Sequence, residues 1–338
     1  MKRKRMLALV TTFALVLGFL AADGNRVQAT ESKDADVPFS GIVWIAGDSI
    51  ASDHSDNADN GDPRPLVGWG EVLGEYADVT VHNEARSGRS TKSYVGENNN
   101  YKTIMKEIGA GDIFFIQFGH NDENESSKLH TDPVGASTEE GSYKWYLATK
   151  FIDPALEAGA YPVLCTSVVR YLVEDGKLAE QSHAPYVEAM KELAAEYEAK
   201  GITIPVIDCH AYTKQLYMED IEGSESYHAL VKDESSGEEQ LDTTHYCEKG
   251  ARMLAQYILK ECSNVLPESI FSEHSLAVIT KGDADGDGKV TIRDVIAVLK
   301  HALGVKQENF STEAADCDGK EGITVEDAEA ILAGELEH

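Results

Sequence analysis

Three side chains able to form a nucleophilic site stand at the two ends of one long segment. Ser49 follows Gly47 and Asp48 at the end of an apolar run, and Asp242-Thr243-Thr244-His245 lies almost 200 positions later. A serine hydroxyl is a weak nucleophile near neutral pH and needs a general base within hydrogen-bond reach. In an Asp-x-x-His segment the carboxylate can reach back to the His Nδ1–H in a single turn, which sets the tautomer and leaves Nε2 for the serine. Alone, either feature is common, since a serine after a strand also serves as a helix cap.

Acyl transfer at such a serine requires donors for a tetrahedral oxyanion, worth about 3–4 kcal/mol for each well-placed group. Two segments offer them. In Asn83-Glu84-Ala85-Arg86-Ser87-Gly88-Arg89-Ser90 a glycine lets a backbone N–H approach a ligand closely, and Gly119-His120-Asn121-Asp122 carries an amide side chain. Either segment alone would be an ordinary βα loop. Arg86 and Arg89 flank Gly88 and either read an anionic substrate or neutralise acidic loops. Asp48, His120 and His54, the last within the acidic segment Asp53–Asp62, read as scaffold or solvent groups. Asp208-Cys209-His210 is a rival acid–base pair whose spacing is awkward. The 11 histidines form no further metal set.

These residues need a frame. From about 40 to 262 short apolar runs alternate with helical patterns, the signature of βαβ units around a parallel sheet. Strands are expected at Ile42–Ala46, Val79–His82, Ile113–Phe118, Pro162–Thr166 and Ile204–Asp208. Helices are expected around Trp69–Tyr76, Tyr101–Ile108, Tyr143–Ala158, Pro185–Lys200 and Cys247–Lys260. The result is a three-layer α/β domain with a five-stranded parallel sheet, whose ligand site belongs at the carboxyl ends of the strands.

After Ser263 the pattern breaks, and two copies of one unit begin at Asp283 and Asp316. The first places Asp283, Asp285, Asp287, Thr291 and Asp294 at loop positions 1, 3, 5, 9 and 12, with Gly288 at 6 and the Lys289 carbonyl at 7. That is an EF-hand-type calcium loop, suited to a hard cation that takes six to eight oxygen ligands. The second has Asp316, Asp318, Thr324 and Asp327, but Lys320 and Glu321 stand where a ligand and the turn glycine belong, which weakens it. Calcium is therefore expected chiefly in the first loop. Each loop runs into a helix with one apolar face, so the two units can cover each other.

The chain of 338 residues is 42% hydrophobic, with 59 acidic against 30 basic side chains and a net charge of −29. The apolar content excludes wholesale disorder, and the absence of a basic patch beyond the N-terminus excludes nucleic acid as a partner. Lys2 to Arg5, the apolar run Met6 to Ala22 and Val27-Gln28-Ala29 read as a secretory signal over residues 1–29, so the protein is expected outside the cell and not in a membrane. Losing its five basic residues and one acid would take the charge from −29 to −33. The five cysteines, Cys165, Cys209, Cys247, Cys262 and Cys317, show no zinc spacing and leave free thiols or one disulfide equally open.

In the order Gly-Asp-Ser, Asn-x-Ala-x-x-Gly-Arg-Ser, Gly-His-Asn-Asp and Asp-x-x-His, with Gly68-Trp69-Gly70-Glu71 between, residues 41–262 resemble the GDSL/SGNH hydrolases of the rhamnogalacturonan acetylesterase-like group. The resemblance implies a flavodoxin-like fold, with Ser49 as nucleophile, His245 as base, Asp242 as its orienting acid, and Ser49, Gly88 and Asn121 as oxyanion donors. It implies metal-free hydrolysis of an acetyl ester on a plant cell-wall polysaccharide, rhamnogalacturonan foremost. Acetylated xylan is the alternative substrate, and a catalytically silent carbohydrate-binding subunit is the alternative function. Residues 279–338 resemble a type I dockerin, which implies calcium-dependent folding and docking on a cohesin module of a cellulosomal scaffold. Residues 30–262 would then be the esterase domain and 263–278 a linker.

Overall fold

The computed structural model describes residues 39–57, 62–77, 79–97, 99–233, 236–266, 281–285, 290–307, 310–317, 320 and 322–335. The expected signal segment, and Asp287, Lys289 and Asp318 of the calcium loops, lie outside them.

Five strands form the central sheet: β1 (Ile42–Gly47), β2 (Thr80–Asn83), β3 (Ile113–Gln117), β4 (Tyr161–Cys165) and, after a two-residue ribbon of β5 (Val173–Glu174) and β6 (Lys177–Leu178), β7 (Val206–Ile207). Their order is β2-β1-β3-β4-β7, and all neighbours run parallel. Helices cover both faces, so the strands are near-continuous apolar runs whose successive side chains enter different cores. Val43, Ile45, Ile113 and Phe115 pack with Trp69 of α1 (Trp69–Val72) and with Leu254, Ile258 and Leu259. Trp44, Ala46, Phe114 and Ile116 pack on the other side with Tyr94 of α2 (Thr91–Glu97), Ile104 of α3 (Asn99–Glu107) and Phe151. Each buried aromatic or aliphatic side chain here contributes about 1.5–3 kcal/mol.

On that second face, α4 (Tyr143–Tyr146), a π-wound stretch (Leu147–Ile152) and α5 (Asp153–Ala158) follow one another without a break, and α6 (Ala184–Glu198) completes the layer. α7 (Cys209–Glu219), the single turn α8 (Ile221–Ser224) and α9 (Glu248–Val265) follow later in the chain. The expected strands and helices are present with ends shifted by a few residues. The last of these helices, α9, runs five residues further than expected, to Val265, and among the strands the fifth changes most, ending where Asp208 leaves the ladder to cap α7, its side chain accepting from Ala211 N. α2, α7 and an antiparallel pair, β8 (His228–Lys232) with β9 (Glu239–Tyr246), were not anticipated from periodicity. Their polar faces and broken patterns hide them.

Strand order reverses between β1 and β3, which makes their carboxyl ends the crevice where open α/β sheets bind ligands. The chain leaves β1 at Gly47, so Ser49 is delivered to that crevice. A Cβ on Gly68 would stand 2.1 Å from the Ser52 carbonyl oxygen and one on Gly70 2.6 Å from the Ala51 oxygen, so both positions are glycine because the segment packs directly on the turn that carries the serine.

In the C-terminal region α10 (Ile292–Ala302), α11 (Thr312–Ala315) and α12 (Val325–Glu335) surround a small core of Ala284, Val295, Val298, Ala315, Ala328 and Ile331. Backbone bonds from Gly282 N to Ala314 O and from Ser311 N to Ala284 O tie the two repeats together. No helix among the described residues is long and apolar enough to cross a membrane. All five cysteines are free thiols, four of them buried.

Candidate active site

Asp242 and His245 stand in an interruption of the β8–β9 ladder. His228 pairs with Tyr246 and Leu230 with Leu241, so two steps along β8 face five along β9. The extra residues bulge out and re-aim their side chains, a common use of bulges beside sites. Within the bulge Asp242 Oδ1 accepts from Thr244 N and His245 N, 2.8 and 2.9 Å, which folds the segment into a tight turn. Its other oxygen, Oδ2, accepts from His245 Nδ1 at 2.7 Å. His245 Nε2 is thereby left as an acceptor, and Ser49 Oγ lies 2.7 Å from it. Burial alone would raise the Asp242 carboxyl, but the bond and charge of His245 and the two backbone donors bring it down to about 2. It is a carboxylate throughout the neutral range.

The serine is held from several sides. Asp48 Oδ1 accepts from Ile50 N, the Asp48 carbonyl accepts from Ala51 N and Ser52 N, and Trp69 N donates to Ile50 O. Asn83 Nδ2 donates to Ala51 O at 2.8 Å, and Arg86 N donates to Gly47 O, which ties the loop after β2 to the end of β1. His54 is buried, and its Nε2 donates to the Ser49 carbonyl at 2.8 Å. It is scaffold, turned inward from its acidic segment.

Gly88 has φ +73°, the left-handed region, and open space where a Cβ would stand, so its conformation and not crowding asks for glycine. Arg86 is exposed and Arg89 half-buried, with Arg89 Nε enclosed and without a hydrogen-bond partner. Asn121 Nδ2 reaches Arg89 O at 3.3 Å, so the loops after β2 and β3 meet. Asp122 is fully buried and accepts from Thr91 N, Thr91 Oγ1 and Thr131 Oγ1; burial pushes its carboxyl up to about 7 despite those donors. The rival pair separates. Asp208 meets Lys191 at 2.7 Å, and His210 packs against His183.

Spacing alone could not find Arg170, which sits among these loops. Its guanidinium pairs with Glu123 at 2.6 Å and its Nη2 donates to His120 O at 3.4 Å.

In the C-terminal repeats, carboxylate oxygens of Asp283, Asp285 and Asp294 lie within 4.8 Å of one another, the one group of three among the described residues that could hold a cation. Thr291 caps α10, and Asp294 Oδ1 and Oδ2 accept from Asp285 N and Thr291 N. In the second repeat Asp327 accepts from Cys317 N and Thr324 N, while the Asp316 carbonyl accepts from Lys281 Nζ. The converging oxygens of the first loop fit a hard divalent cation.

The chain is 35% identical over 223 residues to rhamnogalacturonan acetylesterase RhgT of Bacillus subtilis, covering 64% of this chain and 87% of that protein. It is 30% identical over 237 residues to the probable rhamnogalacturonan acetylesterase YesY of the same organism, covering 68% of this chain and 98% of that protein. A rhamnogalacturonan acetylesterase of Emericella nidulans is 25% identical over 260 residues, covering 72% and 91%. Among solved structures, the Bacillus subtilis protein YXIM superposes with a TM-score of 0.51 at 21% identity, over 66% of this chain and 56% of that one, a likeness of fold. No family model matches the chain.

Proposed function

The chain belongs to the rhamnogalacturonan acetylesterase family of GDSL/SGNH hydrolases, and from that membership we propose that it removes acetyl groups from rhamnogalacturonan by a Ser49–His245–Asp242 acyl-enzyme mechanism. It is a carboxylic-ester hydrolase acting on acetylated carbohydrate. The observation that carries the mechanism is the pair of 2.7 Å contacts at His245, one to the hydroxyl and one to the carboxylate.

In this reading His245 Nε2 takes the Ser49 proton as Oγ attacks the ester carbonyl, and the charge on the oxyanion is met by the Ser49 and Gly88 N–H groups and the Asn121 amide. The imidazolium, supported by Asp242, returns the proton to the departing sugar oxygen. Water then repeats the sequence and releases acetate, with His245 again as base. Arg86 and Arg89 are assigned to the uronate carboxylates of the polymer. Such a local positive rim is needed, because a chain of net charge −29 otherwise repels a polyanion.

The same proposal divides the chain into a signal segment (1–29), the esterase domain (30–262), a linker (263–278) and a dockerin (279–338), and places the enzyme outside the cell on a cohesin-bearing scaffold. Support comes from the duplicated loop-helix units with their shared small core, and from the carboxylates of Asp283, Asp285 and Asp294. Asp283, Asp285, Asp287, the Lys289 carbonyl, Thr291 and Asp294 would hold the first calcium, and Asp316, Asp318, Thr324 and Asp327 the second. Calcium there would supply folding energy and no catalytic step.

The test is acetate release from acetylated rhamnogalacturonan and from acetylated xylan by the native protein and by Ser49→Ala. Release from rhamnogalacturonan that vanishes in the variant is the expected result. Release from xylan alone would reassign the substrate, and none from either by folded protein would point to another acyl ester or to a silent binding subunit.

A further inference from the structure

Beneath the nucleophile turn lies a pair of buried groups that the acyl-enzyme cycle does not use. Asp48 is 1% exposed and His120 7%. Asp48 Oδ1 is engaged by Ile50 N, next in the chain but one, and Oδ2 turns away toward His120 Nδ1 at 3.9 Å. Neither of these two facing atoms has a hydrogen-bond partner in the protein. Burying them so costs stability unless the arrangement returns something else.

The tautomer of His120 follows from its other nitrogen. Nε2 lies 2.9 Å from the Val168 carbonyl, which can only accept, so Nε2 carries the proton and Nδ1 of the neutral ring presents a lone pair to Asp48. Burial pulls His120 well below the usual histidine range, which keeps the ring neutral. It also pushes the Asp48 carboxyl up to about 6. At 3.9 Å the gap is too long for a direct hydrogen bond, and one water bridging it satisfies both atoms.

The two residues also occupy a particular place. Asp48 immediately precedes Ser49, and His120 immediately precedes Asn121, so the pair spans the gap between the element that carries the hydroxyl and the one that carries the amide. The His120 loop is braced from its far side as well, by Val168 O on the ring and by Arg170 on the His120 carbonyl and Glu123. Asn121 thus sits in a loop with fixed supports on both sides.

We propose that Asp48 and His120 are a positioning pair that locks the nucleophile turn to the loop bearing Asn121, so that hydroxyl and amide donor address the same carbonyl carbon and oxygen. The pair touches no substrate. This inference rests on the serine-esterase reading and extends it to two residues that act through Asn121.

The experiment is a cycle of variants assayed on p-nitrophenyl acetate, a small neutral ester that needs no polymer contacts. Asp48→Ala and His120→Leu should each lower kcat about 10- to 100-fold with KM within about twofold, because the loss falls on the transition state alone. In an Asn121→Ala background, itself slowed about 100-fold, either change should add less than about threefold, since the donor they place is already gone. Asp48→Asn, which keeps the acceptor for Ile50 N and the shape of the side chain, should restore kcat to within about fivefold of the native value. His120→Gln replaces His120→Leu in the cycle if the latter fails to fold by circular dichroism. Losses of equal size with and without Asn121, or a rise in KM in place of the fall in kcat, would overturn the pairing. Ser49→Ala is run alongside. Activity surviving in that variant sinks the serine-esterase reading itself, whereas an inactive Ser49→Ala with unimpaired His120 variants sinks the positioning pair and nothing more.

Discussion

Ser49 Oγ and His245 Nε2 lie 2.7 Å apart although 196 positions separate them in the chain. The sheet brings one to the end of β1, and the bulge in β9 brings the other over it. A contact of this length needs no rearrangement before proton transfer, so the protein holds a near-attack arrangement of nucleophile and base before substrate arrives.

Asp242→Asn should lower kcat about 10³- to 10⁴-fold on acetylated polymer, while the fold persists. The amide would donate to His245 where the carboxylate accepts, and the ring would flip its proton to Nε2, leaving no acceptor for Ser49. Steady-state kinetics together with the His245 imidazole proton signals in NMR check both halves of that statement.

Arg89→Ala should raise KM for pectic substrate several-fold and leave a small neutral acetate ester untouched. The guanidinium beside Gly88 meets the polymer's uronate and not the acetyl group. Equal losses on both substrates would return Arg89 to a structural role, and a weaker salt dependence of KM in the variant is the accompanying sign of a lost charge contact.

Asp48 and Asp122 should each take stability away as pH rises from about 4 to 7, against the buried His120, His183, His210 and His228, whose lowered values add stability over the same range. Asp48 and Asp122 have folded values raised to about 6 and about 7. Each therefore favours the fold most below the ordinary carboxyl value, and that contribution is lost as pH climbs through the raised one, by up to about 1.4 kcal/mol per pH unit for a single group. Asp242 works in the opposite sense and matters only in acid, since its lowered carboxyl contributes above the ordinary value and loses that contribution as pH falls toward about 2. Asp122→Asn mimics the protonated acid, with one oxygen left to accept from Thr91 and Thr131. Its stability to urea relative to the native protein should therefore rise with pH across that window; parallel profiles would show that Asp122 does not titrate differently in the fold.

Chelation should unfold the C-terminal repeats and spare the hydrolase. Without a cation the carboxylates of Asp283, Asp285 and Asp294 repel one another around a core too small to stand alone. EDTA is expected to remove a low-temperature transition in calorimetry while esterase activity stays, and Asp294→Ala should abolish that transition even with calcium present.

Docking should be carried by one repeat. α10 with its flank exposes Ile292, Ile296, Leu299 and Leu303, a stripe at helical spacing, whereas α12 exposes Val325 and Leu332. The residues at loop positions 10 and 11 differ too, Ile292-Arg293 against Val325-Glu326. With a cohesin that binds the full chain, Leu299→Asp should cost at least about 100-fold in affinity and Leu332→Asp less than about threefold. Comparable losses from both would show two equivalent faces.

Much of this molecule can be read from residue order because its elements are local. Continuous apolar runs such as Ile42–Gly47 and Ile113–Gln117 announce buried parallel strands, and the residues just after such a run have to emerge at the strand's carboxyl end. Ser49 and Asn121 are legible for that reason, Gly88 because a glycine lets its backbone approach a ligand, and Asp242 because it needs only three positions to reach His245. The elements missed by periodicity were those whose shape depends on neighbours: α2, capped by contacts to Asp122, and β9, whose bulge exists only against β8.

No spacing rule could have put Asp48 against His120 or Arg170 beneath the same loop. Those contacts join strands whose adjacency is set by sheet order, and sheet order follows from burying two apolar faces at once. A linear pattern carries the chemistry of each loop. Closing the sheet in the order β2-β1-β3-β4-β7 is what makes the loops after β1, β2 and β3 neighbours and turns separate motifs into one site.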